Sequence, residues 1–155
     1  MSAQELGSVR EKASMHSWDR LIDFVNESIS LGIKDKSLAY NLRLATEELI
    51  SNIIRAASEV PSSDSKDVVL EISARTQNTG DCFWFILKTK DNGRHFDPQF
   101  ASRLPVDTDQ PVSERAIGGL GLFLIQQSVD KVAYEWSEEC NVYELWVALD
   151  SSCAA

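Results

Sequence analysis

Apolar positions recur at three- and four-residue steps in two stretches of the chain. From Ser17 to Leu31, Trp18, Leu21, Ile22, Val25 and Ile29 mark one face, which predicts an amphipathic helix stopped by Gly32. A longer stripe runs from about Lys36 to Val60 through Leu38, Leu42, Ala45, Leu49, Ile53 and Ala56. Asp35 or Ser37 can cap it, and Pro61 with Ser62-Ser63-Asp64-Ser65 ends it in a loop. The period then changes. Residues Val68 to Thr76 and Cys82 to Thr89 alternate or run β-branched, and Asn78-Thr79-Gly80-Asp81 between them is a hairpin turn. Two further strands are predicted at Lys131 to Trp136 and Val142 to Leu149, after a helix from Gly121 to Val129.

The stretch from Asp91 to Gly119 is irregular, carries Pro98, Pro105 and Pro111, and is longer than most loops of a small domain. Residues 1–9 read as a loose lead-in or short edge strand. Two or three helices with four or five strands predict an α+β fold. It is a two-layer sandwich with helices on one face of a mixed, mainly antiparallel sheet. Strands and helices do not alternate regularly, which argues against a Rossmann fold. The domain is expected over residues 8–149, with 1–7 and 150–155 as loose termini.

Composition narrows the function. At 155 residues and 43% hydrophobic, the chain can fill one core. Its 15 Lys and Arg face 24 Asp and Glu, a formal charge of −9, so a direct nucleic-acid partner is not expected. No run reaches the ~18–20 apolar residues of a membrane span, and the start has no signal-peptide pattern. Three cysteines without a C-x-x-C pair read as reduced thiols, and a cytoplasmic location follows as the expectation.

Three segments carry candidate chemistry. In Glu47-Glu48-Leu49-Ile50-Ser51-Asn52, Glu48 and Asn52 are one helical turn apart and share a face. They could supply a proton acceptor and a neutral oxygen ligand for a hard cation, or be an ordinary solvated pair. In Asp91-Asn92-Gly93-Arg94-His95-Phe96-Asp97-Pro98, a strand-end carboxylate could accept from an exocyclic amine while Gly93 lets a flat ligand approach. The plainer alternative is a simple turn. His95 has no second His or Cys at ligand spacing and reads as a surface or lid residue. Last, Gly118-Gly119-Leu120-Gly121-Leu122 opens a helix, where free N–H groups and the helix dipole attract phosphate.

Together, E-x-x-x-N in a helix, D-x-G-x-x-F-D-P after a strand and G-G-L-G-L-F-L-I opening a helix resemble the GHKL ATPase superfamily and its Bergerat-type ATP-binding fold. With V-D-K-V-A-Y-E-W-S (Val129–Ser137) after the glycines, this short single-domain chain looks most like the anti-sigma factor serine kinases. The resemblance implies ATP and Mg2+ as cofactors, Asn52 as the magnesium ligand and Glu48 as the acid that activates a serine hydroxyl. It implies Asp91 as the reader of the adenine amine, with Gly93 and Phe96 beside the base. Gly118, Gly119, Leu120, Gly121 and Leu122 would wrap the triphosphate, and Asp97 to Ile117 would be a lid from which Arg115 reaches a phosphate. The implied partners are a STAS-type anti-sigma factor antagonist as substrate, a sigma factor held inactive, and a second copy in a homodimer. Ala56 stands where kinase relatives often carry histidine, preceded by Arg55. A catalytically weak ATP-binding module and a stand-alone histidine-kinase catalytic domain are therefore the competing readings.

Overall fold

A computed structural model of the chain describes residues 2–59, 67–96 and 119–150. The element order is β1 (Ser2–Lys12), a short 3-10 turn (Met15–Ser17), α1 (Trp18–Gly32), α2 (Lys36–Ser58), β2 (Val69–Thr79) and β3 (Cys82–Asp91). Then follow α3 (Gly119–Ser128), β4 (Lys131–Ser137) and β5 (Cys140–Ala148). The strands form a five-stranded sheet in the order β1-β2-β3-β5-β4, and every pairing among the described residues is antiparallel. The α+β sandwich expected from the sequence is the one observed, and the described part of the sheet is purely antiparallel rather than mixed.

Side-chain alternation sets the layers. On β2, Leu70, Ile72 and Ala74 are buried, and the same face carries Phe85 and Leu87 of β3 and Tyr143, Leu145 and Val147 of β5. Against it pack Leu21, Val25 and Ile29 of α1, Leu42, Ala45, Leu49 and Ile53 of α2, and Ile125 of α3. Burying such side chains is the main favourable term in folding, about 1.5–3 kcal/mol for each large one. α2 begins where Asp35 accepts hydrogen bonds from the backbone N–H of Ser37 at 2.9 Å and Leu38 at 3.2 Å. That satisfies donors which a helix start leaves unpaired.

On the other face the register aligns Arg75, Ile86, Trp146 and Lys131 in one row. The Lys131 ammonium lies 4.5 Å from the Trp146 ring centre, Trp84 meets that ring edge-on at 5.6 Å, and Arg75 pairs with Glu144 at 3.0 Å. Ile86 in this row is fully buried, so the outer face covers itself with long and aromatic side chains.

Two expectations change. Residues 2–7 are not a loose terminus: they form the first half of β1, the edge strand that was the other expectation, longer than foreseen and paired along β2 with an irregularity between Glu5 and Gly7. The long β2 supplies a complete ladder of partners that a mostly polar segment does not signal by itself. Cys140 is a free thiol as expected, but Cys82 is disulfide-bonded. The Pro61 loop, Asp97 to Ile117, Gly118 and residues 151–155 lie outside the described residues.

The hairpin between β4 and β5 turns through Glu138 and Glu139, whose φ angles are 54° and 61°. Two left-handed residues suit a two-residue hairpin, but glutamate adopts that region at a cost of roughly 1–2 kcal/mol each. Glu139→Gly is accordingly expected to stabilise the fold by about 1 kcal/mol. Urea unfolding would show this as a higher midpoint at unchanged slope, whereas a lower midpoint would mean that the turn is unstrained.

Candidate functional site

A cavity of about 280 Å3 opens between the C-terminal half of α2 and the C-terminal end of β3. Leu49, Asn52, Ile53, Arg55 and Ala56 line it from α2, and Val68, Asp91, Gly93, Arg94, His95 and Phe96 from the strand side. Asn141 and Tyr143 of β5 complete the wall. The volume sits at the low end of small-ligand pockets, which start near 300 Å3, and suits a base with its sugar better than a whole nucleoside triphosphate.

Asp91 is the buried carboxylate of this wall, beside the more exposed Arg55 and Arg94. It is 5% exposed, and burial pushes its carboxyl above the usual carboxylate range, opposed by donors from Asn141 and Gly93. Both donors converge on one oxygen: the Gly93 N–H at 3.0 Å and the Asn141 amide at 3.2 Å each reach Oδ1. No hydrogen bond among the described residues engages Oδ2, which leaves that oxygen as the acceptor for a ligand. Gly93 is required by space, because a Cβ there would come within 2.9 Å of Asp91 Oδ1 and 3.4 Å of a Val68 methyl.

Asn52 lines the opposite wall. Its Nδ2 is buried without a hydrogen-bond partner, and its Oδ1 accepts from the Arg55 guanidinium at 3.3 Å. An orphaned amide at a cavity wall is costly unless something binds there. No cluster of three or more His, Cys, Asp or Glu able to hold a metal occurs among the described residues. Asn52 Oδ1 is the neutral oxygen that would ligate a magnesium ion arriving on a nucleotide, once Arg55 releases it, while the orphaned Nδ2 would donate to an acceptor oxygen of the same ligand.

The structure brings Asn52, Asp91, Gly93 and Phe96 to one cavity and leaves Glu48 outside its lining. Glu48 is half-buried one turn N-terminal to Asn52 on α2. Gly119, Leu120, Gly121 and Leu122 form the first turn of α3, so that helix begins two residues earlier than the sequence suggested. α3 packs against α2, the helix that carries Glu48 and Asn52. Arg115 and Gly118 lie outside the described residues. Arg55 and Asn141 are site residues that no sequence motif marks. Arg55 was visible as a cation one turn past Asn52, whereas Asn141 follows a polar turn and gives no local signal.

Asn141 is 3% exposed and uses its whole amide. Nδ2 donates to Asp91 and to the Arg94 carbonyl at 2.9 Å, while Oδ1 accepts from the Phe96 N–H at 3.0 Å and the Tyr134 hydroxyl at 2.7 Å. His95 stacks on Trp136 with ring centres 4.4 Å apart, which ties the loop to β4 as well as to β5.

The family model of the histidine kinase-like ATPase domain matches residues 13–146. The chain belongs to that family. No curated protein matches the sequence. The α+β sandwich of this ATPase domain is the GHKL ATP-binding fold, and membership implies an ATP-using domain. No helix among the described residues is long and apolar enough to cross a membrane.

Proposed function

We propose that this ATPase domain binds ATP with Mg2+ and acts as a serine/threonine protein kinase of the anti-sigma type. Its substrate would be a STAS-type anti-sigma factor antagonist, its sequestered partner a sigma factor, and its place the cytoplasm. The supporting observation is the cavity in which Asp91 offers one unengaged oxygen across from the buried amide of Asn52. Asp91 Oδ2 would accept from the 6-amino group of adenine, and Gly93 would let the ring lie close to the backbone. Asn52 would hold the magnesium, which when bound neutralises phosphate charge. The first-turn N–H groups of α3 would meet the phosphates, with Arg115 and Gly118 added from the lid and glycine turn. Glu48, one turn N-terminal to Asn52 on α2 and outside the cavity lining, would take the proton of the attacking serine hydroxyl.

The direct test is incubation with γ-labelled ATP and a candidate antagonist. Acid-stable label on a serine or threonine of the antagonist supports the kinase. Acid-labile label on a histidine supports the stand-alone histidine-kinase reading instead. One observation favours a catalytically weak binding module: Arg55 occupies the Asn52 oxygen that the metal needs. Sigma-factor capture without label transfer would be its signature.

A further inference from the structure

We infer that Asn141 is a positioning residue that makes Asp91 selective for an amino-bearing purine. The inference rests on the adenine-nucleotide reading of the cavity and deepens it.

A carboxylate in a pocket has two equivalent oxygens and can rotate, so it does not by itself specify where a donor must sit. Here the symmetry is broken. The Asn141 Nδ2–H and the Gly93 N–H both end on Oδ1, so Oδ2 is the oxygen left to a ligand. The Gly93 contact is local, two residues along the same loop. The Asn141 contact comes from a different strand, where Asn141 sits directly across from Asp91 in the β3–β5 register.

The amide can hold this role because it cannot turn over. Reversing it would place an N–H against the Phe96 N–H and the Tyr134 hydroxyl, and an oxygen against the Arg94 carbonyl and the Asp91 carboxylate. The contacts with the Phe96 N–H, the Arg94 carbonyl and the Asp91 carboxylate would change from attractive to repulsive inside a buried site, and only the Tyr134 hydroxyl could turn to accept instead. Tyr134 on β4 is therefore the outer member of the relay, through its 2.7 Å bond to Asn141 Oδ1.

The same amide donates an N–H to the carboxylate and so favours its ionised form, against the burial that favours the protonated one. A protonated Asp91 would present a hydroxyl donor at the ligand position as readily as an acceptor. Asn141 thus supports both features that an exocyclic amine needs: an acceptor oxygen and a fixed direction.

The test compares two ligands in the presence of magnesium, ATP and purine riboside 5′-triphosphate, which lacks only the 6-amino group. Titration calorimetry should show wild type preferring ATP by about 5- to 150-fold, the range for one buried hydrogen bond made or left unmade. In Asn141→Ala that preference should shrink roughly tenfold or to nothing, mainly by weakening ATP and not the analogue. Tyr134→Phe keeps the amide and removes one of its anchors, so it should shrink the preference by a smaller factor; it also carries the test if Asn141→Ala does not fold. A purely structural asparagine would weaken both ligands in parallel and leave the ratio unchanged, which overturns the assignment. An unchanged ratio in both variants overturns it as well. Wild type that binds neither ligand would overturn the adenine reading beneath it, and wild type that binds both equally would show that Asp91 reads no amine.

Discussion

Asp91→Asn is expected to give a protein that melts at a higher temperature near neutral pH and binds ATP about 5- to 150-fold more weakly. Both halves come from one carboxylate. Burial raises its proton affinity in the fold, so its contribution to stability is fully present below the ordinary aspartate range and is lost as pH rises through the raised value. At neutral pH the wild type therefore carries the cost of an ionised buried group, which asparagine lacks. The asparagine oxygen can still accept from Gly93 and Asn141, so the loop keeps its hydrogen bonds. Its Nδ2, placed where Oδ2 was, would oppose the adenine amine donor to donor. Melting curves across pH check the first half, since the stability gain should fade on acidification as the wild-type carboxyl protonates. Calorimetric titration with ATP checks the second. A variant that melts earlier at every pH would show that the charged hydrogen bonds outweigh burial.

Glu48→Gln is expected to bind ATP within about threefold of wild type while transferring the phosphoryl group ~100-fold more slowly or worse. The binding half follows from position: Glu48 does not line the cavity, which holds the base end of the site. Glutamine has nearly the same helix propensity and size, so α2 should form unchanged. The rate half follows from the proposed proton transfer. Glu48 shares a helical face with Asn52 and would stand where phosphates extend past the cavity. Single-turnover transfer to the antagonist, measured beside the binding titration, separates the two. Equal rates in wild type and variant would make Glu48 a structural residue and favour the binding module.

The layered fold was legible because helix and strand periods are both strong here. The α2 stripe and the Asp35 cap are local chemistry, and Gly80, at φ 67°, is the turn glycine that the β2–β3 hairpin asks for. Asn52, Asp91 and Gly93 were legible by motif, and they meet in one cavity. The extent of β1 was not, because an edge strand half in water needs few apolar residues and borrows its order from its neighbour. Nor was Asn141, whose role exists only through partners from Asp91 to Phe96 and at Tyr134. The Glu138-Glu139 turn lacks the Asn-Gly chemistry that would have announced it.

That turn has reach beyond its own corner. It places Cys140 opposite Ser137 and Asn141 opposite Trp136, and β5 in turn holds Asn141 opposite Asp91. Strand faces alternate residue by residue, so a single-residue insertion after Glu139 that was absorbed within β5 would swing the amide to the outer surface and leave Cys140 in its place. The tip of a solvent-facing ribbon, with no atom in the cavity, thus acts as the spacer that keeps the pocket's reading head in alignment.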